Sequence, residues 1–370
     1  MTRVFPPALA VVIVTVFLAG CSEEPDSPPV IAPPADIEAP EVLQEAVISQ
    51  TDAACQGATT LRSAITAFLE APTAEHLVAA RQQWQASHQS YGEALVAYQL
   101  ARMNPPQIAQ DRDPIDAHPV LPGYLDRVPG YPRSGLVYSE VPLTPAFLAE
   151  EHQSTDFFYL TLGFHPLEVL LWGGIDPRAE FRAQLFQRPD DLPQDQVDAR
   201  SRRIELLRLI AYALPRDVAQ LCAYNNRLAL TRALATVAKS PAQSRDSLAT
   251  ALDVLIDQPL AQWQANPEGE DRNGMPIWHA SFARSDFAFM NAQLMAWHGT
   301  WLPLVLTEQA PAEMSAQVEA LSQRLSALDE AKALPAEENL AEARRLLAEL
   351  SASLGEPGTI SGEESEEASQ

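Results

Sequence analysis

His165 and Glu168 are the two residues of this 370-residue chain whose types and spacing best suit chemistry. Side chains three positions apart on a helix share one face, so an imidazole and a carboxylate at this spacing can converge on one point. Such a pair is half of a zinc or iron site. The apolar run at residues 169–172 follows it directly. A polar pair in a buried helix has to be paired, hydrogen-bonded or ligated.

The same residues allow a purely structural interpretation. If Pro166 takes the first helical position, His165 occupies the cap and Glu168 the third position. The Glu168 carboxylate could then reach back to the helix start, as in a capping box. A helix start also stabilises a carboxylate that binds a metal, so both interpretations stay open.

Further ligands would have to come from other parts of the chain, since a catalytic zinc normally has three protein ligands. The chain contains no H-E-x-x-H, and Val169 after Glu168 rules out the inverted H-x-x-E-H form. Five further residues are candidate ligands, although a residue of each such kind, taken singly, is more often a surface or loop residue. The candidates are His88, Asp116, His118, His279 and Asp286. The remaining histidines, which are expected at the surface, are His76, His152 and His298.

Helices are the elements that would position these residues. Apolar residues recur with helical periodicity from residue 42 onward, and strand-like alternation is nowhere sustained. The pattern predicts helices at residues 42–69, 73–103, 155–172 with a break at Pro166, 199–214, from Pro215 onward, 244–257, 285–306, 313–331 and 337–353. Residues 104–147 are rich in proline and form a long connection with a covering or functional role. We therefore predict an all-α fold of two adjacent antiparallel helical bundles with a long Pro-rich connection.

The N-terminus has the pattern of a lipoprotein signal. Arg3 precedes the apolar run at residues 4–18, and small residues lead directly to Cys21. The run is short for an uncleaved anchor helix, which needs ~20 apolar residues. We expect Cys21 to be lipidated and the protein to be anchored to the cell envelope, facing the periplasm. Ser22 at the next position favours the outer membrane.

These patterns divide the chain into five regions. We predict a signal peptide at residues 1–20, a disordered tether at 21–41, a first helical bundle region with the His-Glu pair at 42–214, a second at 215–354 and an acidic disordered tail at 355–370.

Charge and cysteine content restrict the partners and the redox setting. The net charge of -24 argues against binding nucleic acid and is compatible with handling cations. Apart from Cys21, the chain has Cys55 and Cys222. In an oxidising periplasm these two are a candidate disulfide, and two buried free thiols are the alternative.

Residues 163–168, Gly-Phe-His-Pro-Leu-Glu, resemble the G-x-H-x-x-E signature of the imelysin family, a peptidase M75-like and insulin-cleaving-protease-like group of envelope lipoproteins, some of them iron-regulated. Residues 122–137 resemble a subgroup of that family, and Arg81 with Trp84 resembles its A-R-x-x-W helix. Three positions depart from the family pattern. His88 stands where relatives often carry arginine, Pro166 is unexpected, and Asp176 falls one place later than the acidic residue of relatives.

The resemblance implies a two-bundle helical fold with the signature pair near the domain interface. It also implies a periplasm-facing protein that takes part in metal uptake, mostly of iron, together with metal-uptake partners and the membrane. The leading interpretation is that His165 and Glu168 bind a divalent or trivalent metal, iron or zinc, in an interdomain cleft. One alternative is a zinc-dependent metallopeptidase of the M75 type, with Glu168 as ligand or base. The other is a non-enzymatic envelope scaffold in which the pair is a helix cap.

Overall fold

The structure is a computed structural model, and it describes residues 39–106, 112–173, 177–189, 191–269, 278–280, 282–306 and 310–355. The predicted signal peptide, Cys21, most of the tether and residues 356–370 of the tail lie outside the described residues. Within the described ranges the regular elements are helices, and no strand is present. The predicted all-α class is confirmed.

The helices follow one another in this order: α1 (Glu41–Glu70), α2 (Ala74–Ala101), α3 (Pro122–Leu125), α4 (Pro145–Glu151), α5 (Phe164–Trp172), α6 (Ala179–Gln184), α7 (Gln194–Val218), α8 (Tyr224–Val237), α9 (Pro241–Leu252), α10 (Gln258–Ala265), α11 (Asp286–Ala296), α12 (Leu302–Val305), α13 (Met314–Ala331) and α14 (Glu337–Ser353). A 3-10 turn occupies Leu136–Tyr138, and π-helical turns at Asp253–Asp257 and Trp297–Trp301 continue α9 and α11.

Helix α2 links most of the core. It begins where predicted, because the Thr73 side chain accepts a hydrogen bond from the His76 N–H and caps the first turn. It packs against α1 and α11 and also contacts α5. The described helices belong to one compact unit, so the division into two bundles at residues 214 and 215 is not confirmed.

Two predicted helix boundaries were wrong. Helix α7 continues through Pro215 to Val218, because a proline in the last turn removes only one backbone donor. The helix predicted at residues 155–172 is confined to α5. Gly163 interrupts it with φ 96° and ψ -168°, a conformation outside the helical region that only glycine adopts easily.

The Pro-rich connection contains α3, the 3-10 turn and the start of α4 among its described residues. It leads from the end of α2 towards α5, and Phe164 N donates a hydrogen bond of 2.8 Å to the Ile115 carbonyl. The predicted covering segment therefore contacts the helix that carries His165.

Cys55 of α1 and Cys222, after α7, form a disulfide. Nearby, the Arg227 Nε of α8 donates a 2.8 Å hydrogen bond to the Thr51 hydroxyl of α1. Both links tie the first helix to residues about 170 positions later in the chain. Across the described ranges, no helix has both the length and the apolar character needed to cross a bilayer.

Candidate metal centre

Helix α5 brings His165 into the core, and every one of its nine residues is buried. Its first turn is fixed by contacts to two other segments. The Trp84 indole N–H donates to the Phe164 carbonyl at 2.8 Å, while Phe164 N donates to Ile115. A Cβ on Gly163 would lie 2.4 Å from the Ile115 carbonyl oxygen. The glycine of the G-x-H motif is thus required for Asp116, next to Ile115, to approach His165.

The other end of α5 is held by two arginines. Arg182 Nε donates to the Leu170 carbonyl at 2.9 Å, and Arg81 Nη2 donates to the Leu171 carbonyl at 2.9 Å. Cations at a helix C-terminus satisfy its last carbonyls and interact favourably with the helix dipole. Arg81 and Trp84 of the A-R-x-x-W motif therefore position α5 through its backbone carbonyls.

Four side chains from distant segments meet beside α5. They are His88 of α2, Asp116 of the Pro-rich connection, His165 of α5 and His279, which precedes α11. One ligand atom from each lies within 4.8 Å of the others. The Nε2 atoms of His88, His165 and His279 lie 2.8, 3.2 and 3.3 Å from the Asp116 carboxylate. We call these four residues the metal cluster.

Two nitrogens of the metal cluster have no hydrogen-bond partner. His165 Nε2 and His279 Nε2 are buried, and neither makes a hydrogen bond with any described group. Buried polar atoms are almost always satisfied, so two such atoms facing one carboxylate need an explanation. Imidazole and carboxylate are ligands that zinc and non-haem iron accept. A bound cation fits this arrangement because it would satisfy both nitrogens at once.

The electrostatics of the metal cluster depend on burial and on mutual contacts. Burial is the main cause that lowers the pKa of His88, to about 4, so its imidazole is neutral at pH 7. Burial also disfavours a charged His165, but the nearby Asp116 and Glu168 carboxylates outweigh it and raise the pKa to about 10. Burial opposes ionisation of Asp116, yet the neighbouring His279 and His88 hold its pKa well below its usual range. In the metal-free state a proton on His165 therefore balances Asp116, and a cation could replace that proton.

Glu168, which was predicted as a ligand, lies behind His165 and is not one of the four residues of the metal cluster. Its Oε1 accepts hydrogen bonds of 2.7 Å from the Phe282 and Ala283 N–H groups. Its Oε2 lies 3.0 Å from His165 Nδ1. A carboxylate bound to one ring nitrogen fixes the tautomer and orientation of the imidazole, which leaves Nε2 for the metal.

The helix-cap interpretation of the pair was wrong. Gly163 is the N-cap of α5, and no side chain caps the helix start. Pro166 is the third helical residue, and His165 already lies inside the first turn. The Glu168 carboxylate bonds to the backbone of a different segment, 114 residues away.

Asp286, another predicted ligand, also acts from behind a histidine. Its two carboxylate oxygens accept hydrogen bonds of 2.8 Å from the backbone N–H groups of His279 and Ala280. Burial raises its pKa. Asp286 begins α11, so it holds the turn that carries His279 against that helix.

A cavity of about 240 Å³ adjoins the metal cluster. Asp116 and His279 lie on its wall together with His118, whose ring centroid is 4.0 Å from that of His279. The His118 Nδ1 is 3.0 Å from the Asp116 carbonyl oxygen, and burial lowers the pKa of His118 to about 3. The other walls are mainly apolar, with residues such as Trp263, Phe289 and Met290. A small molecule in the cavity would lie next to Asp116 and His279.

A sequence model of the imelysin family, which carries the peptidase M75 label, matches residues 47–359. This chain belongs to the imelysin family. The match covers all four residues of the metal cluster and both positioning carboxylates. No curated protein matches the chain.

In this imelysin-family chain, the G-x-H-x-x-E signature supplies one ligand candidate, His165, and one positioning residue, Glu168. His88, at the position where the sequence departs from the family pattern, is a member of the metal cluster. Asp176, the third departure, lies outside the described residues.

Sequence reasoning missed the role of His152, which was expected at the surface but is 2% exposed. Its Nδ1 accepts hydrogen bonds from the Thr161 and Leu162 N–H groups, and its Nε2 donates to the Asp113 carbonyl at 2.8 Å. The Asp113 side chain in turn accepts from the Asp116 N–H. His152 thus fixes the loop that carries Asp116, although no spacing in the sequence marks it.

Proposed function

We propose that this imelysin-family protein binds one transition-metal ion through His88, Asp116, His165 and His279 and takes part in metal uptake at the cell envelope. The observation that carries the proposal is the pair of buried Nε2 atoms, on His165 and His279, without hydrogen-bond partners beside the Asp116 carboxylate. Three imidazoles and one carboxylate give four protein ligands, enough for a tetrahedral zinc or for iron with open positions.

Iron is the metal that we favour. Nitrogen and oxygen donors of this kind serve non-haem iron, and no cysteine is among the four ligands to select a softer ion. The net charge of -24 favours the approach of cations. The family resemblance adds involvement in iron acquisition. Lipid attachment at Cys21 would keep the protein at the membrane where a metal is taken up.

Metal binding by purified protein is the direct test. The protein is stripped with a chelator and loaded with Fe(II), Fe(III) or Zn(II), and bound metal is measured by elemental analysis after gel filtration. We expect one metal per chain, with an iron species retained best, and loss of stoichiometric binding in His165→Ala and in His279→Ala. His76→Ala is the matched control, because His76 is an exposed histidine on the same helix as His88. Equal metal in wild type and His165→Ala would refute the site.

Uptake and anchoring are tested separately in cells. A strain that carries Asp116→Asn in the chromosomal copy should grow more slowly than wild type in iron-depleted medium and recover when iron is added. Cys21→Ser should release the protein from the membrane fraction. The purified Asp116→Asn variant should also lose metal binding. If it does and the strain still grows normally in iron-depleted medium, the proposed role in metal uptake is rejected.

The peptidase alternative gave Glu168 the role of ligand or base, and the geometry supplies no support for it. Both Glu168 oxygens are engaged by backbone N–H groups and by His165, and Glu168 is absent from the described residues that line the cavity. We therefore propose metal binding without peptide hydrolysis.

A further inference from the structure

A second concave site, with a volume of about 250 Å³, lies between the Pro-rich connection and the first half of α7. Four arginines contribute to its walls: Arg127, Arg133, Arg200 and Arg203. Asp195 is the one acidic residue among its described lining residues. We call this site the arginine pocket. Such a concentration of guanidinium groups is notable in a chain with nearly twice as many acidic as basic residues.

Behind the wall of the arginine pocket, Arg203 belongs to a buried group of side chains with more positive than negative charge. Arg203 makes a two-fold contact with the Asp126 carboxylate, through Nε at 2.7 Å and Nη2 at 2.8 Å. Arg182 Nη2 approaches the same carboxylate at 3.3 Å. One buried carboxylate thus faces two buried guanidinium groups. Buried charges are costly unless they are neutralised, so this group favours a further anion nearby.

The guanidinium groups nearer the mouth add to this excess. The Arg127 side chain makes no hydrogen bond or ion pair with any residue of the described ranges. Among the described residues, Arg200 donates hydrogen bonds only to neutral acceptors, the backbone carbonyls of Gln184 and Gln187, through its Nη1. Burial, together with Arg203 and Arg127, lowers the pKa of Arg200. At the rim, Arg133 and Asp195 neutralise each other at 2.6 Å.

We propose that the arginine pocket binds a small oxyanion with two or more negative charges, such as a phosphate group or a polycarboxylate. Guanidinium groups bind such anions through paired N–H donors, and several of those donors on Arg127 and Arg200 have no acceptor among the described residues. Arg127 belongs to the segment 122–137 that resembles a family subgroup, and the metal cluster uses no residue of this segment. The proposal is independent of metal binding.

Anion binding to the purified full-length protein tests this proposal. Inorganic phosphate and citrate are titrated by calorimetry at constant ionic strength, and the same anions are added in thermal unfolding experiments. We expect saturable binding of at least one of them with a rise in Tm, and at least tenfold weaker binding in Arg127→Gln and in Arg200→Gln. Arg208→Gln is the matched control, since Arg208 lies on the same helix α7 but is exposed and paired with Glu205.

A vesicle-binding experiment distinguishes free phosphate from the phosphate of a lipid headgroup. Vesicles that contain phosphatidylglycerol are compared with phosphatidylcholine vesicles, and loss of binding to the former in Arg127→Gln would assign the pocket to a lipid headgroup. If neither anion nor the anionic vesicles bind wild type, or if Arg127→Gln binds them as tightly as wild type, the proposal is overturned. Folding does not limit this test, because the Arg127 side chain has no partner in the described structure whose loss could unfold the chain.

Discussion

Asp116 and Asp126 are two buried carboxylates of the Pro-rich connection that approach opposite ends of α5, and their neighbours differ in kind. Asp126 faces Arg203 and Arg182, and its contacts to Arg203 have good hydrogen-bond geometry. Asp116 faces three imidazoles, of which only His88 is within good hydrogen-bond geometry, at 2.8 Å. The same side chain therefore serves as a satisfied structural anion in one place and as part of an unsatisfied cluster in the other.

The two aspartates differ in whether their neighbouring side chains can release a proton and bind a metal. An arginine stays protonated at any physiological pH and cannot ligate a metal, so the Asp126 group has one state. A histidine can lose its proton and offer a lone pair, so the Asp116 group can hold either protons or a metal. Buried polar groups are thus better judged by the hydrogen bonds that they lack than by their burial alone.

The largest effect on stability should come from removing the charge of Asp126, whose hydrogen bonds to Arg203 are satisfied. Asp126→Asn leaves the buried Arg203 and Arg182 without a counter-charge, and we expect the free energy of unfolding to fall by about 3–5 kcal/mol. Urea unfolding followed by circular dichroism measures it. Asp195→Asn, which removes the exposed partner of Arg133, should cost less than about 1 kcal/mol. Equal losses in the two variants would show that Asp126 has no special structural role.

Added metal should raise the free energy of unfolding through the metal cluster and not through the Asp126 group. At a free metal concentration of 100 times Kd, binding to the native state should stabilise wild type by about 2.7 kcal/mol. His279→Ala should lose this gain, and Asp126→Asn should keep it despite its lower starting stability. The measurement is urea unfolding of chelator-treated protein with and without metal. If His279→Ala were stabilised as strongly as wild type, the cluster would not be the binding site.

A smaller effect is expected from the carboxylate behind His165. Glu168→Gln keeps an oxygen for the Phe282 and Ala283 N–H groups but can no longer fix the His165 tautomer as an anion does. We expect metal affinity to fall about 10–100-fold, without being abolished. Competition titration against a chelator of known affinity measures Kd. Complete loss of binding would indicate that Glu168 is itself a ligand, and unchanged affinity would remove its positioning role.

Local patterns in the sequence predicted part of the site. The H-x-x-E spacing identified His165 and Glu168 because both lie on one helix, and the apolar flank indicated that this helix is buried. The role of Glu168 could not be predicted, since its Oε1 is bound by backbone N–H groups 114 and 115 residues away. Asp116 and His279 could not be singled out from the five candidate ligands. Both lie in loops, which tertiary packing alone brings to His165.

The fold was predictable to a similar degree. Helical periodicity gave the class and most helices, whereas the break before α5 depends on Gly163 meeting the Ile115 carbonyl, a contact between distant segments. The burial of His152 depends likewise on long loops that carry no periodic pattern. Contacts of this kind leave no signal in spacing, so the four residues of the metal cluster could be brought together only by the structure.

The smallest expected effect is on stability in acid. It depends on the pKa of Asp126 in the folded protein. The Asp126 pKa in the folded protein is well below its usual value, because Arg203 and Arg182 outweigh the burial that opposes ionisation. Its contribution is therefore complete above the unfolded pKa of about 3.9 and is lost as pH falls below that value.

Metal-free wild type and Asp126→Asn should accordingly differ most in free energy of unfolding at pH 5 to 6. Their difference should narrow by about 1.4 kcal/mol per pH unit below pH 4, because only wild type must keep a carboxylate ionised. Comparing the two proteins cancels the titration of all other carboxylates, including Asp116, provided that a chelator is present. A difference that stayed constant from pH 6 to pH 3 would mean that the folded and unfolded states hold the Asp126 proton equally, and the contrast with Asp116 would lose its electrostatic basis.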